Sequence, residues 1–150
     1  MVCAHNVKSS LVLKTMKPSI YFLSSNDSLR SQIAVGYAKK YLKDWDIKSG
    51  GVRSDAVEPL AIEVMAEDGI DISQQKSTKF TNDSLQESDI VITLCGEARD
   101  KLAIPQDIRW LHWPFIDPDL VAGSKEEKLA TYREVRDSIK QNIQKFATQK

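Results

Sequence analysis

The chain has 150 residues, 41% hydrophobic and 28% charged, with no net formal charge and a pI near 6.7. That length supports one domain with a buried core, and nothing in the balance of charge calls for nucleic acid or an anionic membrane. No apolar run is long enough to span a bilayer, and two cysteines, Cys3 and Cys95, do not make a secreted disulfide framework, so a cytoplasmic setting is expected.

Residues 1–18 read as a flexible N-terminal extension ahead of one domain over 19–150. The extension's apolar patch, Leu11 to Leu13, is too short for a signal peptide, and Cys3 within it is expected to be an idle thiol. Ser19 to Leu23 has the composition of a buried strand. From Ser31 the period becomes helical, with Ile33, Tyr37 and Tyr41 in one row and Ala34, Ala38 and Leu42 in the next. Trp45 to Lys48 reads as a second strand ended by Gly50-Gly51. Pro59 suits the first turn of a helix with an inner face of Leu60, Ala61, Val64 and Met65 and a stop at Gly69. Residues 71 to 80 read as a loop and Asn82 to Glu87 as a short helix. The run from Asp89 to Leu94 is β-branched and apolar, as in a strand covered on both faces. Residues 108 to 113 give a fourth strand. Ser124 and Glu127 have the spacing of a capping box. Leu129, Tyr132, Val135, Ile139, Ile143 and Phe146 then form one apolar stripe, which reads as core.

Strands alternating with helices define an α/β fold: a four-stranded parallel sheet flanked by helices on both faces. In such a fold chemistry gathers at the carboxyl ends of the strands, here residues 24 to 30, 49 to 55, 95 to 99 and 113 to 119. The first of these is the most informative. Five residues separate Ser24 from Arg30, and a turn of that size can aim successive backbone N–H groups at one centre. The following helix adds its N-terminal partial charge. Arg30 adds a planar fork of donors that suits a tetrahedral oxyanion. The candidate anion-binding residues are therefore Ser25, Asn26, Asp27, Ser28, Leu29 and Arg30. An ordinary βα turn with a surface arginine is the plain alternative.

The stretch "FLSSNDSLRSQIAVGYAKKYL" resembles the signature of the low-molecular-weight protein tyrosine phosphatases and of the thioredoxin-coupled arsenate reductases built on the same flavodoxin-like fold. That signature is a cysteine, five residues, then Arg-Ser. "IKSGGV", "EPLAIEVMAEDGIDIS" and "SDIVITLC" match later family segments. "HWPFIDPD" and the closing helix are closer to the reductases. The resemblance places Ser24 at the nucleophile position, Arg30 as the anion-binding arginine and Ser31 as the hydroxyl beside the nucleophile. It places Asp117 as the general acid and Cys95 as the reductases' second cysteine. The third reductase cysteine falls at Leu102, and Val35 replaces an acidic residue of their cation site. No metal or cofactor is expected.

The departures bear on the chemistry. A positive loop brings a cysteine thiolate within reach of neutral pH, whereas a serine hydroxyl needs an adjacent base, and the loop sequence offers no evident one. His112 lies on the fourth strand, and a structural role is expected there. Asp27 stands where the family usually has asparagine. A carboxylate inside the cradle, about 5 Å from an anion at an effective dielectric of about 20, would repel it by about 3 kcal/mol, about two decades in affinity. Arg30 pairing with Asp27 would fill the site internally. The expectation is a degenerate oxyanion loop without catalysis: a binding or regulatory module that takes phosphate, arsenate or sulfate weakly if at all, with a protein partner as a second candidate ligand. The alternatives are an active family member whose cysteine was changed to Ser24, and an enzyme using an unusual serine mechanism.

Overall fold

The computed structural model describes residues 17–149. Most of the expected extension, with Cys3, lies outside the described residues. Four strands form one parallel sheet in the order β2-β1-β3-β4: β1 (Ser19–Ser24), β2 (Asp46–Gly51), β3 (Ile90–Thr93) and β4 (Arg109–His112). Five helices connect or follow them: α1 (Arg30–Tyr41), α2 (Pro59–Glu67), α3 (Asn82–Gln86), α4 (Gly96–Lys101) and α5 (Lys125–Thr148), with a 3-10 turn at Pro118–Leu120. Among the described residues no helix is long and apolar enough to cross a membrane.

The alternation of β1 builds both cores. Ile20 and Phe22 face α1, α2 and α5, where Ile33, Val64, Met65, Tyr132 and Ile139 pack. Tyr21 and Leu23 face the opposite side, against Leu85 of α3, Ala98 of α4 and Cys95. The sheet is thus covered on both faces, and α1 is buried from Arg30 through Ala38. The long helix α5 starts in a complete capping box between Ser124 and Glu127, and all six residues of its apolar stripe are buried.

Two local expectations change. Gly50 and Gly51 do not stop the strand ahead of themselves; they are the last two residues of β2 and pair with Leu23 and Ser24 in the ladder. They are small because of their neighbours. A Cβ on Gly50 would stand 2.5 Å from the Tyr21 hydroxyl, and one on Gly51 would stand 2.7 Å from the Asp27 nitrogen. Residues 96–101, read only as a strand end, form α4; six residues are too few to show a helical period.

The chain leaves β1 for β2 on one side and later returns to β3 on the other. The order of strands therefore reverses at β1, and ligands of open α/β sheets bind outside the carboxyl end at such a point. Ser24 is the last residue of β1.

Candidate functional site

Residues 24–30 curl at this switch point, and the carbonyls of Ser24 to Leu29 all accept from donors beyond the loop. Ser24 O accepts from Val52 N, Ser25 O from Arg53 N at 2.9 Å, Ser28 O from Glu58 N at 2.8 Å and Leu29 O from Ile33 N at 2.9 Å. Asn26 O accepts from Asp55 N and the Ser77 hydroxyl, and Asp27 O from Gln32 Nε2 at 2.9 Å. Asp27 is held at a φ of 48°, a left-handed conformation that Asp and Asn tolerate better than most side chains.

With the carbonyls turned outward, none of the backbone N–H groups from Ser25 to Arg30 donates to a protein acceptor among the described residues. No side chain caps the start of α1 either. Successive unclaimed N–H groups beside a helix N-terminus are an anion-binding arrangement. They adjoin a cavity of about 110 Å³ lined by Ser24, Ser25, Asn26, Ser28, Leu29 and Arg30. That is room for about three to four waters at ~30 Å³ each, the scale of a small oxyanion rather than of a large ligand.

Asp27 is the one loop residue that does not line the cavity. Its side chain is fully buried. The carboxylate accepts from Ser31 Oγ at 2.5 Å, Ser49 Oγ at 3.0 Å and Thr78 N at 2.9 Å. The expectation of a carboxylate in the cradle wall is therefore corrected: three donors supplied by α1, β2 and the 71–80 segment draw it behind the loop. Burial pushes its carboxyl above the ordinary range, against the opposing pull of Ser31, Thr78 and Ser49. The pairing of Asp27 with Arg30 is corrected as well. Arg30 Nη1 donates to Phe115 O at 2.9 Å, and Nη2 lies 4.0 Å from Asp117 Oδ2.

Ser24 and Ser31 hydroxyl oxygens are 2.7 Å apart, and both are buried. Ser31 has one proton and gives it to Asp27. The contact between the two serines therefore runs from Ser24 as donor to Ser31 as acceptor.

Asp117 lines the same cavity, together with Asp55, Glu58 and Asp119. Asp117 also has a structural task, accepting from Asp119 N at the start of the 3-10 turn. Burial, then the neighbouring Asp119, Asp117 and Asp55, raises the Glu58 carboxyl. Sequence reasoning missed Glu58 and gave no role to Asp55 or Asp119; the only available signal was their position at or beside the ends of β2 and β4.

Cys95 is 6% exposed. Its sulfur caps α4 by accepting from Ala98 N and lies 3.3 Å from the Ser25 hydroxyl. Leu102 is buried in the same cluster. His112 meets Thr93 through Nδ1 at 2.7 Å. A larger cavity of about 660 Å³, lined in part by Lys39, Lys48, Lys76 and Lys79, contains no residue of the 24–30 loop. The small cavity at the switch point is the better candidate because the unclaimed N–H groups and Arg30 converge there.

A parallel sheet of this order with a turn of unclaimed N–H groups after β1 defines an α/β protein of the flavodoxin-like kind, and comparison narrows the class. A family model described as low molecular weight phosphotyrosine protein phosphatase matches residues 19–150. The chain belongs to that family. Within it, the chain is similar to arsenate reductases. One from Halalkalibacterium halodurans is 47% identical over 133 residues, covering 87% of this chain and 96% of the relative. Another from Bacillus licheniformis is 45% identical with the same coverage. Among solved structures, an arsenate reductase in the phosphate binding state superposes with a TM-score of 0.72 at 32% identity, covering 88% of this chain and 97% of the other.

Proposed function

We propose that this chain is an oxyanion-binding member of the family, acting in a binding or regulatory capacity and not as a thiol-dependent arsenate reductase. In this reading Ser24 stands where the family's nucleophilic cysteine would be, and residues 25–30 wrap phosphate or arsenate. Arg30 supplies the charge, and Asp117 lines the same cavity. The observation that carries it is the set of unclaimed N–H groups from Ser25 to Arg30 around a cavity whose base bears a hydroxyl instead of sulfur. The relative solved in a phosphate-binding state supports the ligand class.

Arsenate reduction through cysteines needs a thiolate to attack, a second thiol to resolve and a third to complete the disulfide. Here Cys95 is a buried helix cap, and Leu102 has no sulfur to pair with it. A serine hydroxyl cannot be oxidised to a disulfide, so in this reading the described residues offer no three-cysteine electron path.

Calorimetric titration with phosphate and arsenate tests the binding half. Saturable binding of either that is lost in Arg30→Ala is expected. Thioredoxin-coupled arsenate reduction tests the other half; turnover no greater than buffer is expected. Reduction above that level by the protein with Ser24 in place would overturn the reading.

A further inference from the structure

The charges of the whole chain balance, with 21 Lys and Arg against 21 Asp and Glu. One cavity departs from that balance. The space of about 660 Å³ beside β2 is lined by Lys39, Lys48, Lys76 and Lys79, and none of its lining residues is an aspartate or a glutamate. Lys48 lies 3.6 Å from the exposed Glu87 carboxylate. Lys39, Lys76 and Lys79 form no ion pair among the described residues. Like charges gathered without counter-ions repel one another and draw an anion from solution.

The lysines come from separate parts of the fold: Lys39 from α1, Lys48 from β2, and Lys76 and Lys79 from the segment that follows α2. That segment is pinned. Gln75 Nε2 donates to Gln32 Oε1 at 2.8 Å, and Gln32 Nε2 donates to Lys76 O at 3.2 Å. Gly51 N donates to Thr78 O at 3.0 Å, and Phe80 N donates to Gly51 O at 2.9 Å. The backbone that carries Lys76 and Lys79 is therefore fixed against α1 and β2 before any ligand arrives, which lowers the cost of binding one. Tyr21, Val35 and Ile47 line the same cavity and give it an apolar wall beside the charges. Its volume lies in the range of small-molecule sites, and an inorganic oxyanion would leave most of it unfilled.

We infer that this cavity is a second ligand site, for an organic polyphosphate: a small molecule whose phosphate groups meet the lysines and whose less polar body lies on Tyr21, Val35 and Ile47. The inference goes beyond the oxyanion-loop reading and does not depend on it. Lysine suits such a ligand because an ammonium group binds phosphate as a point charge, without the planar fork that fits one fixed oxyanion. An extended acidic peptide would carry the charge, but a concave space of this size encloses a compact ligand. Ser49 and Thr78 line the cavity and also donate to Asp27 Oδ2. The cavity and the 24–30 loop thus have a wall in common, and an occupant of the cavity lies beside the donors that hold the loop's buried carboxylate.

The probe is ATP, titrated calorimetrically into the full chain at low and high salt, with tripolyphosphate, adenosine and a hexaglutamate peptide as comparisons. Expected is saturable ATP binding that weakens with added salt. It should fall about tenfold or more in Lys39→Ala combined with Lys79→Ala, the scale of one or two lost charged hydrogen bonds. Both side chains are exposed, so the denaturant midpoint should hardly move. Adenosine lacks the charge and tripolyphosphate lacks the body; each should bind about tenfold or more weaker than ATP. Arg30→Ala should leave ATP affinity within a few-fold, and ATP should slow amide exchange over residues 76–80. ATP binding lost in Arg30→Ala and kept in the lysine variant would place the triphosphate in the 24–30 loop; that overturns the inference and leaves the oxyanion reading standing. Tripolyphosphate binding as tightly as ATP, hexaglutamate binding more tightly, or no ATP binding at all would each overturn it too. Titration of the parent with inorganic phosphate, lost or kept in Arg30→Ala, decides the oxyanion reading separately.

Discussion

Gly51 and Asp27 are in backbone contact. A Cβ on Gly51 would lie 2.7 Å from the Asp27 nitrogen and 2.8 Å from Ser25 O, with the Arg53 carbonyl also in its way. The end of β2 and the 24–30 loop therefore share one backbone-to-backbone surface with no space for a side chain. Rigid backbone cannot swing aside as a flexible side chain does. Gly51→Ala should destabilise the fold by about 1–3 kcal/mol, the usual scale of overpacking, and should abolish phosphate binding by displacing residues 25–27. Urea denaturation and calorimetry on the same variant check both. Unchanged affinity would mean that the loop does not depend on this contact.

Arg30 is 9% exposed and is fixed by the Phe115 carbonyl. That bond holds the guanidinium at the cavity without consuming all five of its donors. Hydrogen bonds from a charged donor contribute about 1.5–3 kcal/mol, so Arg30→Lys, which keeps charge but loses the planar fork, should weaken phosphate binding by about tenfold or more. Arg30→Ala should weaken it further. Equal affinity in Arg30→Lys and the parent would show that the arginine acts as a point charge.

The raised carboxyl of Asp27 gives stability a definite pH dependence. Because burial lifts its folded value above the unfolded 3.8, the folded state holds its proton more tightly than the unfolded chain. This contribution is fully present below about pH 4 and is lost as the pH rises through the folded value. Asp27→Asn removes it. The variant should lose less stability than the parent between pH 4 and neutrality, measured by denaturant midpoints across that range. Identical slopes in the two proteins would mean that Asp27 titrates normally.

Legibility in the sequence followed the distance over which each feature is determined. The stripe from Leu129 to Phe146 and the Ser124–Glu127 cap are set within one helix, and both are as read. The parallel sheet followed from alternating strands and helices, and the family resemblance from a contiguous signature. The extent of β2 was not legible, because Gly50 and Gly51 are small for the sake of Tyr21 and the 25–27 backbone, not to make a turn. The direction of Asp27 was not legible either. Its partners Ser49 and Thr78 lie 22 and 51 residues away, and nothing near Asp27 announces them. Asp27 was visible as a charge, but only the fold turns it behind the loop and connects it through Ser31 to Ser24.

Glu97 supplies an electrostatic test on the other side of the loop. Its carboxylate takes two hydrogen bonds from Arg53, at 2.9 and 2.7 Å, and Arg53 Nε also donates to Asn26 Oδ1 at 3.0 Å. The Arg53 guanidinium holds the Glu97 carboxyl down to about 2, from 4.5. A depressed folded value means that the contribution is present above about pH 4.5 and is lost as the pH falls toward 2. The pair is partly exposed, so its contribution is modest and is screened by salt. Glu97→Gln should therefore cost little at neutral pH and should flatten the loss of stability between pH 4.5 and 2. It should also loosen the Arg53 grip on Asn26, seen as faster amide exchange over residues 25–27. A variant that acid-denatures with the parent's profile would show that Arg53 and Glu97 do not hold together in solution.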